Sequence, residues 1–182
     1  RFDSFIYILY YIMANFKDSP KFAVYDDYYT PKWVWKKIEH LIPKDKVIWE
    51  ACMLNATNSK SMEILTELGY KVVGDTSWDI LNCEIPDSVD IIVSNIPFET
   101  EIKKAILKRL YEIGKPFLII MNSCNVFSNY FHELIDRENT QIITPCGKLH
   151  YCKNGEVEKK NTSFYSVFVA YKLGLSNSQL FV

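Results

Sequence analysis

Apolar residues along this chain gather in short, largely β-branched runs, and between the runs they recur at helical spacing. Val47-Ile48-Trp49, Lys71-Val72-Val73, Val89-Asp90-Ile91-Ile92-Val93 and Pro116-Phe117-Leu118-Ile119-Ile120-Met121 read as strands, the last buried on both faces by its composition. Trp33, Val34, Ile38, Leu41 and Ile42 stripe one face of a helix that opens at Pro31, with Thr30 as its cap and Pro43 as its stop. A second helix is expected over residues 59–68, with Gly69 where the chain must turn left-handed after it. Ile102, Ile106, Leu110 and Ile113 mark a third, and residues 128–135 a fourth. Residues 17–29 read as a polar, aromatic loop, and residues 78–87 as mostly irregular with room for one short strand. Gln141-Ile142-Ile143 and residues 162–171 are late strands flanking a Lys- and Gly-containing hairpin over residues 146–160.

Strand and helix alternate through the first two-thirds, and two strands follow close together. That order predicts an α/β fold: a mostly parallel twisted sheet with helices on both faces, finished by a C-terminal antiparallel hairpin. A length of 182 residues suits one domain, burying roughly two-thirds of its unfolded surface. Residues 1–16 form an apolar N-terminal extension broken by Asp3 and Asn15, too short to cross a membrane and without the pattern of a signal peptide. Met13-Ala14-Asn15 reads as a natural start, and the extension as a helix lying on the domain or on a partner. Residues 17–182 make the single domain.

Charge narrows the partners. With 21 basic and 22 acidic residues the net charge is -1, so no global field attracts nucleic acid and any phosphate contact must be a local patch. Lys103, Lys104, Lys108 and Arg109 are either such a stripe or a solvated helix face. Lys148, Lys153, Lys159 and Lys160 are either phosphate contacts or the polar side of a hairpin. Five cysteines, odd in number and without a C-x-x-C pair, read as reduced intracellular thiols. Cys146, His150 and Cys152 match no common zinc spacing and read as a hairpin with incidental thiols.

The candidate chemistry lies at Asn95-Ile96-Pro97-Phe98, directly after a buried strand and before an amphipathic helix. Ligands bind at that edge of open α/β sheets. An amide carbonyl on Asn95 and the backbone carbonyl of Ile96, held by Pro97, suit the two hydrogens of an exocyclic amine, and Phe98 suits the ring that bears it. The plain alternative is a strand-ending turn in which Pro97 stops the strand and Phe98 caps the core.

With Asp26-Asp27-Tyr28-Tyr29-Thr30-Pro31 before the first strand and Asn95-Ile96-Pro97-Phe98 after a later one, the chain resembles the class I S-adenosylmethionine-dependent methyltransferases, whose sheet is Rossmann-like. Within them it is most similar to the amino-methyltransferases acting on adenine N6, above all the small ones of large DNA viruses and phages. The resemblance spans residues 25–172. It implies Tyr29, Thr30 and Pro31 near the methionine end of S-adenosylmethionine, and Glu50 opening a cofactor loop that includes Ala51 and Asn55. It further implies Asp75 on the ribose hydroxyls, Asp79 before Ile80 on the cofactor adenine, and Asn95 to Phe98 as the catalytic loop, with no metal. The implied substrate is DNA or RNA, and the small chain implies loose target choice or a protein partner that supplies it; no membrane is implied. Two departures stand out. The loop after Glu50, Ala51-Cys52-Met53-Leu54-Asn55-Ala56, has no glycine, and Ile96 replaces a proline. The first departure keeps open a catalytically inactive relative that binds nucleic acid or builds a viral particle.

Overall fold

The computed structural model describes residues 28–52, 60–75, 78–153, 156–157, 164–176 and 179–181. The N-terminal extension, Asp26, Asp27, Asn55, most of the glycine-free loop, Lys159 and Lys160 lie outside them.

The elements run in the order β1 (Tyr28–Tyr29), α1 (Lys32–Ile38), a 3-10 turn (Glu39–Leu41), β2 (Val47–Trp49), α2 (Lys60–Glu67), β3 (Lys71–Val73), β4 (Ile91–Asn95), α3 (Thr100–Ile113), β5 (Phe117–Asn122), a 3-10 turn (Ser123–Phe127), α4 (Asn129–Leu134), β6 (Thr140–Thr144), β7 (Cys152–Lys153), β8 (Glu156–Val157), β9 (Ser166–Tyr171) and β10 (Gln179–Phe181). Seven strands form one sheet in the order β10-β6-β9-β5-β4-β2-β3, and β1-β7-β8 form a small second one. The pairs β2–β3, β2–β4 and β4–β5 are parallel, and β9 runs antiparallel between β5 and β6. The mixed α/β architecture with its antiparallel C-terminal hairpin is the one expected from the alternation of runs.

Pleat alternation splits the core cleanly in two. Ile91 and Val93 of β4, Leu118 and Ile120 of β5, and Phe168 and Ala170 of β9 pack with Val34, Trp35 and Ile38 of α1 and with Ile64 and Leu65 of α2. Ile92, Phe117, Ile119, Met121, Val167 and Val169 face the other way, onto Ile102, Ile106, Leu107 and Leu110 of α3 and Phe131 of α4. Each fully buried Ile, Leu or Phe contributes about 1.5–3 kcal/mol over an exposed one, so β4, β5 and β9 are held from both faces.

Local chemistry sets the helix ends. Glu99 caps α3 by accepting the Ile102 N–H at 2.7 Å, and Gly114 ends it at φ +70°. Gly69, at φ +88°, takes the turn after α2 as its position predicts. Thr30 is a correction: the capping position of α1 belongs to Pro31, there is no side-chain cap, and the Thr30 side chain is wholly buried instead. Residues 78–87 contain turns but no strand among the described residues. Neither β1 nor β10 is visible in the local pattern. Both exist through distant partners, Cys152–Lys153 for β1 and Ile142 to Thr144 for β10. No helix among the described residues is long and apolar enough to cross a membrane.

Candidate active site

The strand order fixes where a ligand fits. From β2 the chain moves outward to β3, then returns past β2 to β4 and continues outward to β5. The switch point therefore lies between β2 and β4, at their carboxyl ends. The registers Trp49↔Ile92 and Trp49↔Val73 bring Glu50, the Gly74-Asp75 pair and Ser94-Asn95 to that one edge. At the opposite end of the same two strands Asp90 pins them together, its Oδ2 accepting the Val47 N–H at 2.8 Å.

Glu50 is the electrostatic centre of the edge. Only 3% exposed, it accepts the Ser94 hydroxyl at 2.5 Å and the Cys52 N–H at 3.2 Å, both on Oε1. Its Oε2 is sealed from solvent without a partner. Burial pushes the carboxyl up to about 7, against the pull of the two hydrogen bonds. Ser94 is fully buried and ties β4 to β2 across the switch point. It is missing from the sequence-based set, although a lone hydroxyl inside the run Ile91-Ile92-Val93-Ser94 was a signal for it.

Asn95 ends β4 opposite Ile120, and its Oδ1 is also sealed without a partner. Ile96 is buried and donates its N–H to the Ile120 carbonyl at 3.3 Å. Pro97, lacking an N–H, cannot extend the ladder. Phe98 is half-buried in an aromatic group, tilted against Phe164 at 4.9 Å and meeting Tyr151 edge-on at 6.2 Å. Tyr151 is buried and hydrogen-bonds the Ser166 hydroxyl at 2.7 Å; burial pushes its phenol up to about 12, so it stays a neutral wall. Neither Tyr151 nor Phe164 has a periodicity that marks it, because both meet Phe98 only through the fold.

The other expected residues divide. Tyr29 lies on β1 beside Cys152, the neighbour of Tyr151, so the Tyr29-Thr30 segment sits next to the Phe98 group, and the buried Thr30 Oγ1 has no partner. Pro31 and Ala51 are buried. Asp75 is exposed just beyond β3. Asp79 closes its own turn, its carboxylate accepting the Leu81 N–H at 3.0 Å and the Asn82 amide at 2.5 Å, while the preceding Trp78 meets Trp49 edge-on at 6.3 Å. The four-residue basic stripe on α3 does not form. Lys103 is only 5% exposed and donates to Asn125 Oδ1 at 3.0 Å, Lys104 pairs with Glu101, Lys108 with Glu112, and Arg109 reaches the Cys83 carbonyl. Of the hairpin thiols Cys146 is exposed and Cys152 buried.

No protein-family model and no curated protein sequence matches the chain. Solved structures do. A Listeria monocytogenes protein assigned as a class I S-adenosylmethionine-dependent methyltransferase superposes with a TM-score of 0.50 at 14% identity, over 84% of this chain and 64% of that one. This is the class I methyltransferase fold. The chain spans less than two-thirds of the Listeria protein's length, and likeness at such identity speaks for architecture alone. An assigned RNA methyltransferase from Pyrococcus horikoshii (13% identity, 84% of this chain, 83% of that one, TM-score 0.39) also matches. So does a TehB-like S-adenosylmethionine-dependent methyltransferase from Corynebacterium glutamicum (11%, 75%, 84%, TM-score 0.37).

Whether a methyltransferase fold here suits its usual cofactor is answered by the oxygens. Six buried side-chain polar atoms lack partners among the described residues, and three of them, on Thr30, Glu50 and Asn95, belong to residues expected at the site. Native proteins pair nearly all such atoms, so unpartnered atoms on three residues of the expected set are what favours a ligand at this edge. A nucleoside ligand with hydroxyl and amino hydrogens fits them.

Proposed function

We propose that the chain transfers the methyl group of S-adenosylmethionine to the N6 amine of adenine in DNA or RNA. The observation that carries the reading is the unpartnered, sealed Oδ1 of Asn95 at the carboxyl end of β4, with the unpartnered Oε2 of Glu50 at the end of the adjoining strand β2. S-adenosylmethionine, when bound, supplies an electrophilic methyl group on a sulfonium centre. Glu50 and Thr30 would hold its polar groups, and Asp75, exposed beyond β3, its ribose hydroxyls. Adenine N6 is a weak nucleophile because its lone pair is delocalised into the ring. Acceptors on Asn95 Oδ1 and the Ile96 carbonyl draw the amine towards tetrahedral geometry and free that pair. Their effect is orientation by fixed dipoles rather than removal of a proton by a strong base. The N–C bond forms as the S–C bond breaks, the cofactor would leave as its neutral thioether, and the surplus amine proton passes to solvent. Phe98, braced by Tyr151 and Phe164, offers a stiff ring to a base swung out of its strand, an interaction worth about 1–3 kcal/mol on comparable platforms. Target choice in this reading falls to loose preference or to a protein partner.

A second reading, a methyltransferase fold that binds nucleic acid without catalysis, is favoured by one observation. Ala51 follows Glu50 where a glycine would leave room for a ligand, and its Cβ is packed into the core. Calorimetry separates the two. We expect saturable S-adenosylmethionine binding with a raised thermal midpoint; no heat and no shift at millimolar ligand would remove the enzyme. Labelled-methyl transfer to DNA and RNA oligonucleotides then tests the substrate, and undiminished transfer by Asn95→Ala would refute the assigned loop.

A further inference from the structure

We propose that Phe127 and Tyr165 form a stacking shelf for the nucleotides that flank the target base in a single-stranded nucleic acid. The inference rests on the nucleic-acid reading above and names the form in which the substrate is held. Among the described residues the most exposed large apolar side chains are Phe127, at 84%, and Tyr165, at 63%. Their segments are linked. Phe127 ends the 3-10 turn that leaves β5, Tyr165 leads into β9, and the Ser123 N–H donates to the Tyr165 carbonyl at 2.8 Å. This is also the edge of Asn95, since β5 is the parallel neighbour of β4.

The exposure of Phe127 does not come from a loose turn. Asn125 accepts from Lys103 and from the Tyr130 hydroxyl at 2.6 Å, and its amide donates to the Asn122 carbonyl at 2.7 Å. Asn122 Oδ1 accepts the Cys124 N–H, and Ser128 Oγ donates to the Asn125 carbonyl. A turn braced this fully and closed by an exposed ring presents that ring as a preorganised surface. Lys148 adds the charge that favours a polyanion over an apolar peptide, its Nζ lying 5.2 Å from the Tyr165 ring centre. Bases stack on exposed rings whatever their sequence, whereas duplex bases have no free faces to offer.

Fluorescence anisotropy of labelled twelve-nucleotide DNA and RNA single strands, without S-adenosylmethionine, tests this. We expect micromolar binding, displaced poorly by duplex of the same sequence. Phe127→Ala and Tyr165→Ala should each weaken it about tenfold, as loss of one stacked base predicts. Lys148→Gln should lower the log–log salt slope by about one. Both rings are exposed, so thermal midpoints should stay put. Unchanged affinity in both ring variants overturns the shelf even if methyl transfer is robust. Ring-dependent binding without methyl transfer keeps the shelf and removes the enzyme. No binding of any strand, with Phe127→Ala converting a dimer to a monomer, assigns the rings to self-association and overturns the proposal.

Discussion

Two asparagine-bearing strand ends lie side by side in this sheet and are finished in opposite ways. At the end of β5, Asn122 and Asn125 are engaged by Cys124, Lys103, Tyr130 and the backbone. At the end of β4, Asn95 Oδ1 is sealed and unpaired, as is Oε2 of Glu50 at the end of the adjoining β2. The neighbouring Asn125 shows that this fold can satisfy an asparagine in the same setting. An unpaired acceptor costs about 1–3 kcal/mol. The β5 end is therefore complete as folded, whereas the proposed function has the β4 end completed by its ligand.

The sharpest way to break the comparison is Asn95→Ala. Removing an acceptor that acts only on the reacting amine should lower methyl transfer about 10²–10³-fold, the usual effect of losing one preorganised polar contact. Stability should hold or rise slightly, because a buried orphan is removed. A melt that drops by many degrees would mean that Asn95 is structural after all.

Glu50→Gln comes next, and its sign depends on pH. The Glu50 carboxyl rises from 4.5 to about 7 on folding. Between those values the unfolded chain loses a proton that the folded chain keeps, so stability falls as pH rises through this window and levels off above it, a loss of about 3 kcal/mol in all. Gln cannot ionise. The variant should match the parent at pH 4 and exceed it by up to about 3 kcal/mol at pH 8, by urea denaturation, while binding S-adenosylmethionine at least tenfold more weakly. A variant less stable than the parent at pH 8 would contradict a site that trades stability for binding.

Asn125→Ala probes the finished end. It strips the hydrogen bond from the buried Lys103 amine, whose affinity for protons burial already lowers, and from Tyr130. A loss of about 2 kcal/mol is expected, with S-adenosylmethionine affinity unchanged. Equal stability by calorimetry would mean that the β5 end is no more complete than the β4 end.

How much of this was legible in the sequence follows from the range of the interactions. Strands β2 to β5 and helix α3 announce themselves, because burial on a pleat or one helix face leaves a local period. The meeting of Glu50, Asp75 and Asn95 at one edge follows from parallel strands ending together. Thr30 misled because a residue before proline at a helix start usually caps it, yet here it is packed away. Lys103 misled for a related reason: its spacing on α3 places it with Ile106 and Leu110 towards the core, and its acceptor, Asn125, is a whole strand away. Ser94, Tyr151 and Phe164 acquire their roles only from partners distant in sequence, which no local pattern records.

The smallest test concerns the tie between the unfinished corner and its neighbour. Ser94→Ala deletes the hydroxyl that donates to Glu50 Oε1 and removes nothing else of size. That bond favours the charged carboxylate, so its loss should move the Glu50 midpoint further above 7. Stability should fall by about 1 kcal/mol at pH 8, where the carboxylate needs the donor, and by less at pH 5, where the protonated acid is the resident form. If Glu50 binds the cofactor as a carboxylate, the pH at which S-adenosylmethionine affinity is half-maximal should move upward by the same interval as the stability midpoint. Calorimetric titrations from pH 6 to 9 read both. An equal stability loss at pH 5 and pH 8 would show Ser94 to be a packing residue, and a binding midpoint that stayed near 7 would detach Glu50 from the ligand.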